Sequence, residues 1–126
     1  MPKKILIADD EYGMVEMMET ALTEEGYEVM KSRDCSHAIA MAYSANPDLI
    51  IMDIMMPQIG GVRAFENLKR YSKTENIPVI FITAYPSDEL ELLVTDLGAA
   101  GFIEKPFSMD ELLQAIEGIL DPEYSI

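Results

Sequence analysis

Leu49-Ile50-Ile51-Met52-Asp53 decides how the rest of the chain is read: four apolar residues run into a carboxylate and are followed by Ile54-Met55-Met56-Pro57-Gln58-Ile59-Gly60-Gly61. Bounded upstream by Asn46-Pro47-Asp48 and downstream by proline and glycine, the run has the pattern of a short strand buried on both faces, the habit of a central parallel strand. Asp53 then stands at the carboxyl end of that strand, the edge at which open α/β sheets bind ligands. An aspartate after a strand also caps turns, so the remainder of the chain has to discriminate between chemistry and capping.

Working outward, Ile5 to Ala8 is a second short apolar run that ends on carboxylates, here Asp9 and Asp10 followed by Glu11. Over 12–25 the pattern turns helical, with Met14, Met18, Ala21 and Leu22 recurring among glutamates, and Gly26 closes it. Residues 27–30 read as a weaker strand and Lys31 to Asp34 as the turn after it. Residues 36–44 form a second helix with Ala38, Ile39, Ala42 and Tyr43 on one apolar stripe, stopped by Asn46-Pro47. A third helix is expected over 62–71, with Val62, Phe65 and Leu68 inward.

A strand over 77–82 ends on Thr83-Ala84, and a helix over 87–97 carries Asp88, Glu89, Glu91 and Asp96 before Gly98. A short strand over 101–103 ends at Glu104-Lys105-Pro106. Ser108 and Glu111 then have the spacing of a capping box before Leu112, Leu113, Ile116, Ile119 and Leu120. The order is β-α five times over, which implies a five-stranded parallel sheet with helices on both faces and right-handed crossovers. If the sheet reverses direction after its first pair, the strand order is 2-1-3-4-5, and the ends of the first and third strands meet at the switch point.

The chain has 126 residues, the size of one domain, expected over 1–121 with a short tail over 122–126. Apolar residues make up 49% and charged residues 25%, a globular balance. Nine basic against twenty-three acidic residues give a formal charge of −14, a surface that repels phosphate backbones and anionic lipid and so disfavours nucleic acid and membrane as partners. The single cysteine, Cys35, rules out an internal disulfide and fits a reducing compartment. The first apolar run is too short for a signal-peptide core or a membrane span, so a cytoplasmic location is expected. Met14, Met17 and Met18 read as adaptable core filler. The lone histidine, His37, reads as a surface residue without a metal-ligand companion.

The strand ends thus deliver Asp9, Asp10, Asp53, Thr83 and Lys105 to one edge. Three carboxylates close together repel one another and require positive charge. An all-oxygen donor set with room for water suits a hard divalent cation such as Mg²⁺. With that charge in place a carboxylate can act as nucleophile toward phosphorus, while Lys105 offsets charge on the transferring oxygens and Thr83 donates a hydrogen bond.

At these residues the sequence resembles the receiver domain of bacterial two-component response regulators, from Ile5 to about Leu120. The resemblance rests on Asp9-Asp10, on Asp53 with Met56-Pro57 and Gly60-Gly61, on Thr83-Ala84, and on Lys105-Pro106-Phe107. It implies the flavodoxin-like, doubly wound fold and a signalling switch that takes a phosphoryl group on Asp53 from a sensor histidine kinase or phosphotransfer protein. It further implies Mg²⁺ or Mn²⁺ held by Asp10, Asp53 and the backbone carbonyl of Met55, with Asp9 acting mainly through the ion's waters. Lys105 would contact the phosphate and be joined to Pro106 by a cis peptide bond, Thr83 would be the switch hydroxyl with Ala84 beside it, and Phe102 the switch aromatic. The readout would fall on the face of the fourth helix, fifth strand and fifth helix, toward a downstream protein, an output domain or, after phosphorylation, a second copy. Met55 and Tyr85 stand where the family sets phosphoryl lifetime, and their bulk implies a fairly long-lived acyl phosphate.

Other classes fit less well. An aspartyl phosphatase would want a second acid where Met55 stands. A flavodoxin-like cofactor carrier would want Ser, Thr and Gly after the first strand, not Asp9-Asp10-Glu11. A receiver fold that docks without phosphorylation is the alternative left open. Enzymatic turnover on a separate substrate is not expected.

Overall fold

The computed structural model describes residues 2–56 and 59–121, so Pro57, Gln58 and the expected tail over 122–126 lie outside the described residues. The chain runs β1 (Lys4–Ala8), α1 (Tyr12–Glu24), β2 (Glu28–Ser32), α2 (Cys35–Ala45), β3 (Leu49–Asp53), α3 (Gly61–Leu68), β4 (Val79–Thr83), α4 (Asp88–Asp96), β5 (Gly101–Glu104) and α5 (Met109–Leu120). The five strands form one parallel sheet in the order β2-β1-β3-β4-β5, as the sequence implies.

Alternation along each central strand divides the core in two, because successive side chains point to opposite faces. Leu6, Ala8, Ile50, Met52, Val79 and Phe81 pack with α2, α3 and α4 through residues such as Ala38, Phe65 and Val94. Ile5, Ile7, Leu49, Ile51, Ile80 and Ile82 pack with α1 and α5 through Met18, Leu22, Leu112 and Ile116. β3 and β4 are buried at every position, which is why they read as continuous apolar runs. Gly26 follows α1 at φ 93°, a conformation glycine adopts without a Cβ penalty. Ser87 and Ser108 cap α4 and α5 by accepting from the Leu90 and Glu111 amides.

Several boundaries and exposures differ from the sequence reading. β2 starts at Glu28 and continues through Ser32, because Lys31 and Ser32 pair in register with Ile7 and Ala8. α3 starts at Gly61 and ends at Leu68, short of residue 71, where the Thr74 hydroxyl donates to the Leu68 carbonyl at 2.6 Å and turns the chain. Ile77 and Pro78 precede β4 and are not part of it; the Ile77 amide donates to Thr74. Tyr43 and Met17 lie largely in solvent instead of the core, at 52% and 56% exposure, each on the outer flank of its helix's apolar stripe.

Candidate functional site

Register brings the acids together. β1 and β3 are neighbours, with Ala8 opposite Met52, so Asp9 and Asp53 leave the sheet side by side. Asp9 is fully buried and Asp53 nearly so, while Asp10 is exposed. The ends are pinned: the Asp9 amide donates to the Ser32 carbonyl at 3.1 Å, and the Ile54 amide to the Ile82 carbonyl at 3.1 Å. One carboxylate oxygen of each buried acid is held by backbone, Asp9 Oδ1 by the Glu11 amide at 2.8 Å and Asp53 Oδ1 by the Met55 amide at 3.0 Å.

The other oxygens meet Lys105. Its Nζ donates to Asp9 Oδ2 at 3.0 Å and to Asp53 Oδ2 at 3.2 Å, with Glu11 Oε1 at 3.5 Å. Lys105 follows β5, its amide donates to the Thr83 carbonyl at 2.8 Å, and its bond to Pro106 is cis. Burial pulls the Lys105 ammonium toward its neutral form, but the hydrogen bond and charge of Asp9, together with Asp53, outweigh it and raise the pKa. Burial pushes the Asp9 carboxyl above its ordinary value and the Asp53 charge adds to this, against the Glu11 amide and Lys105. A single lysine does not fully offset the cluster.

Oxygen atoms of Asp9, Asp10 and Asp53 lie within 4.8 Å of one another. Three hard oxygen donors at that spacing, one of them open to solvent, fit a hydrated divalent cation. Thr83, fully buried at the end of β4, accepts from the Tyr85 amide at 3.1 Å. Met55 and Tyr85 project from the rim at 62% and 73% exposure, and Ala84 between Thr83 and Tyr85 is exposed. Phe102 does not join the cluster. It is half-buried against the α2–α4 side of the core and borders a cleft of about 320 Å³ with Ser87, Asp88 and Glu104.

The loop after β3 explains its glycines. A Cβ on Gly61 would lie 2.7 Å from the Asp53 carbonyl oxygen and 2.9 Å from Ile54 Cα, so only glycine lets α3 start against the end of β3. Glu11, in the sequence only a further strand-end acid, reaches the rim of the site through its side chain, at 3.5 Å from Lys105 Nζ.

Residues 5–117 match the response regulator receiver domain family, and the chain belongs to that family. It is 36% identical over 118 residues to the phosphate regulon transcriptional regulatory protein PhoB of Pseudomonas aeruginosa, a match covering 94% of this chain and 52% of PhoB. The chain thus spans about half the length of that curated relative. Among solved structures it is similar to a CheY-like receiver domain protein from Methanospirillum hungatei, with a TM-score of 0.90, 27% identity and 98% of both chains covered. It is also similar to the chemotaxis response regulator CheY4 of Vibrio cholerae, with a TM-score of 0.88, 29% identity, and 94% and 99% of the two chains covered. The molecule is a regulatory receiver domain of the two-component kind, with an acidic cluster able to take a metal ion. Among the described residues no helix is long and apolar enough to cross a membrane.

Proposed function

We propose that Asp53 is the phosphoacceptor of a signalling switch, taking a phosphoryl group from a sensor histidine kinase or phosphotransfer protein. The observation that carries this reading is the Lys105 ammonium held between Asp9 and Asp53, 3.0 and 3.2 Å from their oxygens, at the mouth of a three-carboxylate cluster. Asp10, Asp53 and the Met55 carbonyl would hold Mg²⁺ or Mn²⁺, with Asp9 reaching the ion mainly through water. A bound ion of this kind supplies neutralisation of the phosphoryl oxygens.

An Asp53 carboxylate oxygen attacks phosphorus and the phosphorus–nitrogen bond to the donor histidine breaks. The bond's electron pair stays on the imidazole nitrogen, which takes a proton from water. Lys105 pairs with the transferred group, and the Thr83 hydroxyl turns toward it. That motion vacates space beside Phe102, whose half-buried position next to an open cleft supports an inward rotation and a changed surface on α4, β5 and α5. A downstream protein, an output domain or a second copy would read that surface. The receiver unit is taken as residues 1–121, and its setting as the cytoplasm. Its only chemistry is phosphorylation of itself and hydrolysis of the acyl phosphate, in which water attacks phosphorus, inorganic phosphate leaves and the Asp53 carboxylate is restored.

Met55 and Tyr85 stand at the rim, where their side chains hinder that water and lengthen the life of the acyl phosphate. Met55→Asn and Tyr85→Glu are expected to speed dephosphorylation; equal decay in wild type and both variants would remove the shielding role. Intact-mass spectrometry after incubation with Mg²⁺ and acetyl phosphate tests the central reading. One phosphate adduct is expected on wild type, with none on Asp53→Asn or after chelation. No adduct on wild type from acetyl phosphate or from histidine kinases, despite Mg²⁺ binding, would leave a docking module that works without phosphorylation.

A further inference from the structure

The face of α2 and α3 differs from the rest of the surface. Their last turns, at the amino edge of the sheet, flank a cleft of about 460 Å³ lined by Ile39, Tyr43, Asn67, Leu68, Tyr71 and Thr74. The floor is formed by Leu68 and Thr74, both buried and joined by the 2.6 Å hydrogen bond from the Thr74 hydroxyl to the Leu68 carbonyl. The walls are two tyrosines, each 52% exposed and meeting edge to face at 6.4 Å. Two large aromatic rings half in water beside an apolar floor form an anchor-sized recess.

Charge marks it further. α2 carries no acidic, Lys or Arg residue from Cys35 to Ala45, whereas residues 63–73 hold Arg63, Lys69, Arg70 and Lys73 against the single acid Glu66. By contrast α1, α4 and α5 all carry several acids. Lys69 is engaged at the Glu75 carbonyl and over the Phe65 ring. Lys73 places its Nζ 4.5 Å from the centre of the Tyr43 ring, setting a cation on the wall of the recess itself. Arg63 lies one helical turn before Asn67, on the same side of α3.

We propose that this groove docks an acidic segment of a partner protein, an aliphatic or aromatic side chain entering beside the paired Tyr43 and Tyr71 rings, against Ile39 and Leu68, while carboxylates pair with Lys73 and its basic neighbours. A peptide suits the site better than an extended polyanion. The net charge of −14 opposes a membrane or nucleic acid over its whole length, whereas a short segment meets mainly the local field within a Debye length of about 10 Å. The groove lies at the opposite end of α3 from Asp53, so docking there does not occupy the phosphoacceptor.

The test uses a short fluorescein-labelled peptide of Glu and Asp around a central Trp-Leu pair, with two controls: one with the acids changed to Gln, one with Trp and Leu changed to Ser. The acidic, anchored peptide is expected to bind with salt-sensitive affinity and to shift backbone amide resonances of 39–43 and 67–74. Both controls are expected to bind at least about tenfold more weakly. Tyr43→Ala and Lys73→Glu, both at exposed positions, are expected to lose about tenfold in peptide affinity while still forming the Asp53 phosphate adduct. No binding, binding equal to that of the Gln control, or resonance shifts confined to α4 and α5 would overturn the proposal. Resonance shifts in the groove that grow with protein concentration without peptide would overturn it in favour of a second copy.

Discussion

The acids at the strand ends and the acids on α4 are chemically alike and end in opposite circumstances. Asp88, Glu89 and Glu91 occupy the first turn of α4, where negative charge complements the helix amino terminus and each carboxylate stays in water. Asp9, Asp10 and Asp53 are drawn within 4.8 Å of one another because two adjacent parallel strands stop at the same edge. Among the described residues, ion pairs involve Lys105 at this cluster and Lys31 with Glu19, and none reaches α4. The lesson is that topology, not composition, turns acidity into a site: spread over a helix it gives solubility, and gathered at a switch point it stores repulsion that a cation relieves.

The largest expected effect comes from removing the cation that the fold supplies for itself. In Lys105→Ala the buried Asp9 loses its ion-pair partner, and breaking a buried pair on one side costs about 3–5 kcal/mol. Urea unfolding in chelator is expected to show a loss of that order, largely recovered on adding Mg²⁺, together with a strongly weakened phosphate adduct. An unchanged midpoint in chelator would mean that the cluster is not held by Lys105, and the contrast with α4 would fail.

Much of this contrast is legible in the amino-acid sequence, for a physical reason. β3 and β4 are buried on both faces, so their apolar runs and the acid or threonine that ends them are set by local composition. Alternation of strands and helices implies the parallel sheet, and with the order β2-β1-β3-β4-β5 Asp9, Asp10, Asp53 and Lys105 fall together. Edges are harder. Lys31 and Ser32 join β2 only because Ile7 and Ala8 offer them backbone partners, and α3 ends early through a hydrogen bond from Thr74, six residues beyond Leu68. Tyr43 has the spacing of a core residue, yet its ring stands in water against Tyr71 and Lys73; periodicity places a residue near a stripe without saying whether a neighbour covers it. The approach of Glu11 to Lys105 depends on a side-chain rotamer that no sequence pattern encodes.

A smaller effect, of unusual sign, is expected at Asp10. Asp10→Asn removes one of three mutually repelling carboxylates, so the metal-free protein should gain stability, by about 1 kcal/mol at the water-like screening that suits an exposed carboxylate. On the proposed metal site the same change removes an oxygen donor to the ion, and the extra stability expected from Mg²⁺ binding to the folded state should shrink or vanish. Thermal unfolding with and without Mg²⁺ reads both. A destabilised Asp10→Asn in chelator would show that Asp10 makes a favourable contact there.

The smallest effect sharpens the comparison from the other side. Glu89→Gln deletes the same charge from the first turn of α4, where the carboxylate is exposed and its favourable contact with the helix terminus is screened. Stability should change by no more than about 0.5 kcal/mol, in the direction of loss, and the change should be the same in chelator and in Mg²⁺. The two substitutions thus remove one negative charge each from one protein and are expected to move metal-free stability in opposite directions, with metal dependence at Asp10 only. If Glu89→Gln also stabilised the metal-free protein to the same extent, the repulsion would belong to the overall charge of −14 and not to the cluster.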